Sequence, residues 1–305
     1  MYFPYLRGRQ NELLAIRELV ESDLLHKNVI PIFEPIKLTA TYKLTMTYLQ
    51  EQERRVFTII NPQVGNYEKN INGHTIFPKN FNYKYDAVLM NDNNINRYSD
   101  ILKSSEQFLE IFKSTDDLEN YSILDEAGLM PEYLVIASSR FKRQLRNNAK
   151  FILLSDSFEK QPRNADYTSN TDNFFSDDHL YYDSENYVGF SDYSIVGEEY
   201  SDSGFAPRAV AIHIVYFDEN KNLRIKHFVS DTNDDITNPA GKFAEALKKL
   251  VDWFNNEAED YNKTKSLKEF VELFEQKRYP GLGYVKKVSL KHHFELISRY
   301  FKDEE

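Results

Sequence analysis

His213 and His227 flank the turn-rich linker Asp218-Glu219-Asn220-Lys221-Asn222. A hairpin symmetric about Asn220 sets the two imidazoles opposite each other, ~5 Å apart on one face. Asp231 shares that face, and two imidazoles with a carboxylate so placed could hold a divalent metal with an open position. Ala211, Val215, Phe217, Leu223, Ile225 and Val229 lie there too, so a pair of core histidines accounts for the pattern equally. A one-residue slip of register would send His227 to the other side. A second set is acidic. Glu34, Asp156, Asp166 and Asp192 are candidate catalytic residues, because paired acids bind Mg²⁺ and position a water for phosphoryl or glycosyl chemistry. Acids at strand ends are also ordinary helix N-caps, the default for Asp92. No motif demands a cofactor, and a divalent metal is the one these sets would take. His292 and His293, adjacent on a helix, diverge by ~100°, so at most one faces a pocket. The phosphate loop, the dinucleotide-binding glycine pattern and the G-x-S-x-G elbow are missing.

Composition narrows the classes. The 305 residues are 41% apolar, enough for a sizeable core, and contain no cysteine, which removes disulfides, thiolate metal sites and thiol nucleophiles. A cytoplasmic location is expected. The start, Met1 to Arg7, lacks the pattern of a signal peptide, and no apolar stretch approaches the ~20 residues that cross a bilayer, so no membrane is expected as a partner. A net charge of −10 argues against extensive direct nucleic-acid binding. The one basic run, Arg140 to Arg146, reads as a solvated helix.

The elements that must position these residues alternate strand and helix. Apolar runs at Tyr2–Leu6, Val29–Phe33, Val56–Ile60, Ala87–Met90, Tyr133–Ala137 and Phe151–Leu154 read as strands, with Tyr187–Phe190 and Ala209–Phe217 later. Helical patterns follow the first strand and, over Ile95–Lys113, the fourth. Such alternation implies a parallel sheet. Each strand run ends on a polar residue, as in Leu6-Arg7, Phe33-Glu34, Ile60-Asn61 and Ser155-Asp156, and in a barrel those residues converge on one mouth. Residues 156–207 break the pattern with a dozen carboxylates against Lys160 and Arg163. A stretch this long is often functional. Its aromatics give it area worth burying, and Arg163 is expected to point inward toward Asp166, Asp192 or a bound anion. Helices at Phe243–Phe254, Leu267–Phe274 and Leu290–Phe301 end the chain.

Several blocks resemble the phage beta protein family and, more closely, a related bacterial branch. They are Tyr2-Phe3-Pro4-Tyr5-Leu6-Arg7-Gly8, Ile30-Pro31-Ile32-Phe33-Glu34-Pro35, Ile60-Asn61-Pro62, Asp156-Ser157-Phe158, Arg163-Asn164-Ala165-Asp166-Tyr167, Gly189-Phe190-Ser191-Asp192-Tyr193-Ser194, Ala209-Val210-Ala211-Ile212-His213 and His227-Phe228-Val229-Ser230-Asp231. The resemblance implies a barrel-like α/β fold and a gene beside a nuclease-like protein partner in defence-associated regions. It also turns attention to Arg7, Arg163, Asn164, Tyr167 and Tyr193 as ligand-binding candidates.

The expectation is an α/β, TIM-barrel-like (β/α)8 barrel in one domain over 1–305. Residues 156–207 form a long acidic insertion over the strand C-terminal ends, and an antiparallel hairpin comes late. The expected function is a ligand-sensing or partner-binding component of a bacterial antiviral defence pair. The alternative is a metal-dependent hydrolase of phosphodiester or nucleotide substrates, built on Asp156, Asp166, Asp192 and His213.

Overall fold

The structure is a computed structural model describing residues 1–66, 85–92, 94–145, 149–201 and 207–305. Two compact units divide the chain. The first comprises Met1–Leu13, Lys27–Ser155 and Asp178–Tyr193, and the second Leu14–His26, Asp156–Asp177 and Ser194–Glu305. The boundary falls inside helix α1 (Gln10–Glu21). Residues 156–207, expected as one insertion, are shared: 178–193 belong to the first unit and the rest of the described stretch to the second.

The first unit is a nearly closed parallel barrel. Strands β1 (Tyr5–Leu6), β2 (Ile32–Phe33), β3 (Phe57–Ile59), β4 (Tyr85–Leu89), β5 (Gln107–Phe112), β6 (Tyr133–Ile136) and β7 (Phe151–Ser155) are neighbours in chain order. Strand β8 (Asp172–Ser176) lies in the second unit, so β9 (Gly189–Asp192) takes the eighth place, beside β7. The seam back to the start of the chain is made by Phe3 N–H to Phe190 C=O (2.8 Å), Phe190 N–H to Met1 C=O (3.0 Å) and Ser191 Oγ to Phe3 C=O (2.6 Å). Gly189 permits that approach, since a Cβ there would sit 2.6 Å from the Met1 carbonyl oxygen. Helices α2 (Ala40–Glu51), α3 (Ser99–Lys103), α4 (Leu118–Glu126) and α5 (Asp178–Tyr181) follow β2, β4, β5 and β8 in sequence.

Every barrel strand is buried on both faces, which is why its sequence is a continuous apolar run instead of an alternation. The inner layer comprises Phe3, Tyr5, Ile30, Ile32, Phe57, Ile59, Ala87, Leu89, Leu109, Ile111, Val135, Ile152, Leu154 and Tyr193. The intervening residues Val88, Phe108, Phe112, Leu134, Ile136 and Phe151 form an outer layer with Leu102, Leu124 and Phe141 from the connecting segments. This corrects the expected helix over Ile95–Lys113: its second half is β5, preceded by a short 3-10 turn at Ile95–Tyr98 and the single turn of α3. β5 therefore replaces Ala209–Phe217 as a barrel strand. Of the basic run, Ser139–Arg143 forms a 3-10 turn and Arg146 lies outside the described residues.

The second unit carries an antiparallel sheet ordered β10 (Ala211–Phe217), β11 (Leu223–Val229), β8. The expected hairpin register is the observed one, with His213 opposite His227. Helix α6 (Pro239–Asn256) starts at Asn238, whose side chain accepts from Gly241 N (3.0 Å) with Pro239 at the first helical position. Its stripe of Phe243, Ala246, Leu247, Leu250 and Phe254 packs with Val210, Ile212, Ile214 and Phe228 of the sheet, Leu267 and Phe270 of α7 (Lys265–Glu275), and Val288 of α8 (Leu282–Glu304). β10 is an edge strand, and the amide of Asn262 bonds both the Phe217 N–H (2.8 Å) and C=O (2.9 Å), which blunts that edge. Among the described residues no helix is long and apolar enough to cross a membrane.

Candidate functional site

Continuing the inner-layer alternation one step past the strands reaches Arg7 after Tyr5, Glu34 after Ile32, Asn61 after Ile59 and Lys113 after Ile111, beside Tyr193 at the end of β9. These residues share the C-terminal mouth of the barrel, the end at which barrel proteins place their sites. Arg7 is 4% exposed and Glu34 1%. Glu34 Oε2 accepts from Arg7 Nη1 and from the Tyr5 hydroxyl (2.7 Å), while Oε1 accepts from the backbone N–H of Gln63 (2.8 Å). One carboxylate thus ties together β1, β2 and the segment after β3. Asn61 instead serves the sheet, because its amide donates to Leu89 C=O and accepts from Leu89 N–H, both at 2.8 Å, extending the β3–β4 pairing.

The rings of Tyr5 and Tyr193 meet at 4.8 Å and 53°. Two cations stand over them. Arg7 Cζ lies 5.1 Å from the Tyr5 centroid and 5.6 Å from that of Tyr193, and Lys113 Nζ lies 4.9 and 5.4 Å from the same rings. Ring faces attract cations, so the tyrosines draw Arg7 and Lys113 to the mouth that also carries the Glu34 carboxylate. Cations held at a partly buried mouth are groups that an anion can engage. The opposite end of the barrel is plugged by Arg55, packed over Phe57, Tyr85 and Tyr133 and bonded to Gln107 Oε1 at 2.8 Å.

Of the residues expected to act, Arg7, Glu34 and Tyr193 are brought together here. Asp192 belongs to the same strand but to its outer face, where its carboxylate accepts from the Tyr2 hydroxyl at 2.7 Å; burial, then the charge of Asp192, raise the Tyr2 pKa. It does not join Glu34. Asp156 and Asp166 lie in the second unit, Asp156 accepting from the Glu198 N–H (3.1 Å). Arg163 does pair with Asp166 (2.9 Å), and the carboxylate also accepts from the Arg163 N–H, but the Arg163 side chain is 79% exposed. The inward Arg163 is therefore corrected to a surface pair closing a 3-10 turn. Asn164 donates to Ala209 C=O (2.9 Å).

Tyr167 packs against the histidine pair of the second unit. Its ring lies 4.7 Å from His213 and 4.5 Å from His227, and Phe158 lies 5.2 Å from His213. The two Nδ1 atoms are 2.7 Å apart, one donating to the other, which is the geometry of neutral imidazoles. Burial, then the neighbouring His227 and Lys286 charges, hold the His213 pKa well below its ordinary value, and burial lowers that of His227 to about 4 despite Asp172. The expected metal set is not assembled, because Asp231 turns to Lys249 (2.6 Å) and is 73% exposed. Among the described residues no three histidines or carboxylates are gathered to hold a metal ion. His292 bonds Thr264 and Val215 C=O, both at 2.7 Å, and His293 bonds Ser194 Oγ at 2.7 Å, so both adjacent histidines are packed within the core.

Lys113, Tyr5 and Gln63 escaped the sequence reading. Lys113 follows an apolar run, as Arg7 and Glu34 do, and becomes visible once Gln107–Phe112 is read as a strand. Fold and site together define a parallel α/β barrel with a cation-bearing mouth. Comparison with known proteins returns no matching family model, no similar curated protein and no similar solved structure.

Proposed function

We propose that this chain is the ligand-sensing component of a bacterial antiviral defence pair, taking a small anion at the barrel mouth while a nuclease-like protein partner executes the response. The observation that carries the ligand-binding part is the placement of Arg7 and Lys113 over the Tyr5 and Tyr193 rings, with Glu34 as the counter-charge. The defence part rests on the resemblance of the Tyr2–Gly8, Ile30–Pro35 and Gly189–Ser194 blocks to the phage beta protein family. Such a component would work in the cytoplasm, and a chain without cysteine suits a reducing compartment. A metal-dependent hydrolase would need its carboxylates in one place. Glu34 is engaged with Arg7, Asp192 faces outward and Asp166 is held by Arg163, so no observation favours that reading.

A thermal-shift screen of the 305-residue chain against phosphate, sulfate, small dicarboxylates and nucleotides tests the proposal. A ligand that binds only the folded state raises stability by about 2.7 kcal/mol at one hundred times its Kd. At least one anion class should raise the melting temperature of the wild type and fail to do so for Lys113→Gln. A wild type indifferent to every anion, at ionic strength matched with chloride, removes the ligand reading.

A further inference from the structure

The antiparallel sheet of the second unit ends in two unlike edges. At β10 the Asn262 amide occupies both backbone groups of Phe217. The β8 edge has no such cap: β11 is its only neighbour in the sheet, and Phe174 on it is 52% exposed. Thr171 C=O accepts from His227 N–H at 2.8 Å, so in an antiparallel ladder Thr171 and Asn173 turn their backbone groups toward β11, while Asp172 and Phe174 turn theirs outward. Among the described residues the outward N–H groups of both, and the Phe174 C=O, have no partner. The Asp172 C=O takes one long bond from Arg224 Nη2 (3.3 Å), which leaves its second lone pair. An open edge that carries an exposed aromatic is a template for another strand. We infer that the strand it takes is β8 of a second copy of this chain, paired antiparallel about a two-fold axis through Asn173, so that two three-stranded sheets become one of six strands.

The register is self-complementary. With the axis at Asn173, Asp172 of each copy faces Phe174 of the other, and the exchange of N–H···O=C bonds in both pairs makes about four backbone hydrogen bonds. Phe175, the extra residue of the β8 bulge, lies just beyond, so the regular part of the edge suffices. Asn173 meets its own copy as a non-hydrogen-bonded pair, in which side chains come closest. Its Oδ1 is buried and has no hydrogen-bond partner among the described residues, and the amide of the copy's Asn173 is the donor it lacks. The two Phe174 rings become diagonal neighbours on one face, ~7–8 Å apart and within reach of each other. Charge favours a second copy over a charged peptide. Asp172 is answered within its own chain by Arg224 (2.9 Å) and Lys226 (3.3 Å), and Lys226 by Glu257 (3.4 Å), so these four charges balance. The edge therefore offers neither sign for a charged partner to complement, and a second copy brings an equally balanced edge against it.

Sedimentation velocity of the wild type over a micromolar dilution series should show a species of twice 36.0 kDa that dissociates on dilution, since so small an interface is weak. Phe174→Lys, a change at an exposed side chain, should raise the dimer dissociation constant at least tenfold with the circular dichroism spectrum unchanged. The chain has no cysteine, so one introduced thiol reports the register. Asn173→Cys should crosslink to its own copy under mild oxidation of the folded protein, because a non-hydrogen-bonded pair brings its Cβ atoms near disulfide reach. Ile236→Cys, at another exposed apolar position of the second unit, reports random collision and should crosslink far more slowly. Crosslinking at 173 no faster than at 236 overturns the inference and leaves the edge to a strand of another protein. A dimer undiminished by Phe174→Lys overturns it equally, since the interface would lie elsewhere. Should Phe174→Lys not fold, the comparison of Asn173→Cys with Ile236→Cys decides alone. No residue of the barrel mouth takes part, so the sensor reading stands or falls separately.

Discussion

Arg7 and Glu34 are both almost wholly buried, and their energetic coupling is the quantity most directly written into the mouth. Truncating one partner of a buried ion pair leaves the other charge uncompensated and costs about 3–5 kcal/mol, whereas replacing both by apolar groups of similar volume is often close to neutral. Arg7→Met should therefore destabilise by about 3–5 kcal/mol. Glu34→Leu should cost at least as much, because the Tyr5 hydroxyl and the Gln63 N–H also lose their acceptor. The double variant should be no worse than the harsher single one, giving a coupling energy of about 3 kcal/mol or more. Urea unfolding followed by circular dichroism measures all four corners of the cycle. At about 2–4 °C per kcal/mol for a unit of this size, each single change should also lower the melting temperature by about 10 °C. Single effects that add to within ~0.5 kcal/mol in the double variant would mean that the two charges do not depend on each other, and the argument from burial would fail.

His227, with its pKa near 4 against an ordinary 6.5, releases its proton in the folded state and binds one on unfolding between those values. Stability is therefore lost as pH falls from about 6.5 toward 4, by up to about 1.36 kcal/mol per pH unit, and is insensitive to this group above 6.5. His227→Phe should flatten the acid limb of a melting-temperature profile by about one proton, and an unchanged slope would contradict the buried neutral pair. Glu295 is the opposite case. Burial would raise its pKa, but the Ser266 N–H and hydroxyl, the Lys265 N–H and Arg299 outweigh that and lower it. Its contribution is present above pH ~4.5 and is lost as pH falls through the depressed value, so Glu295→Gln should cost about 1.5–3 kcal/mol at pH 7 and progressively less in acid, checked by urea titrations at both. Gly189→Ala should weaken the β9–β1 seam, since its Cβ would press on the Met1 carbonyl; hydrogen exchange at Phe3 and Phe190 should quicken relative to β5 and β6, and equal protection would argue against that seam.

The barrel and half of its mouth were legible in the sequence for one physical reason. A parallel strand is buried on both faces and ends where its chain reaches solvent, so a run such as Ile30-Pro31-Ile32-Phe33 stopping at Glu34 announces both a strand and a mouth residue. The same double burial hid β5. Phe108, Leu109, Ile111 and Phe112 around Glu110 carry no alternation, and with Ile101 and Leu102 ahead of them they mimic a helical stripe; Lys113 went with them. Asp192 shows a second limit. Whether a residue at a strand end faces in or out turns on a one-residue phase, which Tyr193 in the inner layer and Asp192 beside Tyr2 settle only in three dimensions. The His213–His227 pairing was readable because a symmetric turn fixes register, while the turn of Asp231 toward Lys249 depends on α6 and left no local sign.

The anion-binding site proposed at the barrel mouth is built on Arg7 and Lys113. Titration calorimetry of the most stabilising anion from the thermal-shift screen, into wild type, Lys113→Gln and a control, Lys268→Gln at an exposed position of α7, tests it most directly. Lys113→Gln should raise the Kd at least tenfold, a loss of about 1.4 kcal/mol, with the control unchanged. Equal affinity in wild type and Lys113→Gln, with both variants folded, would contradict the account and move the site elsewhere.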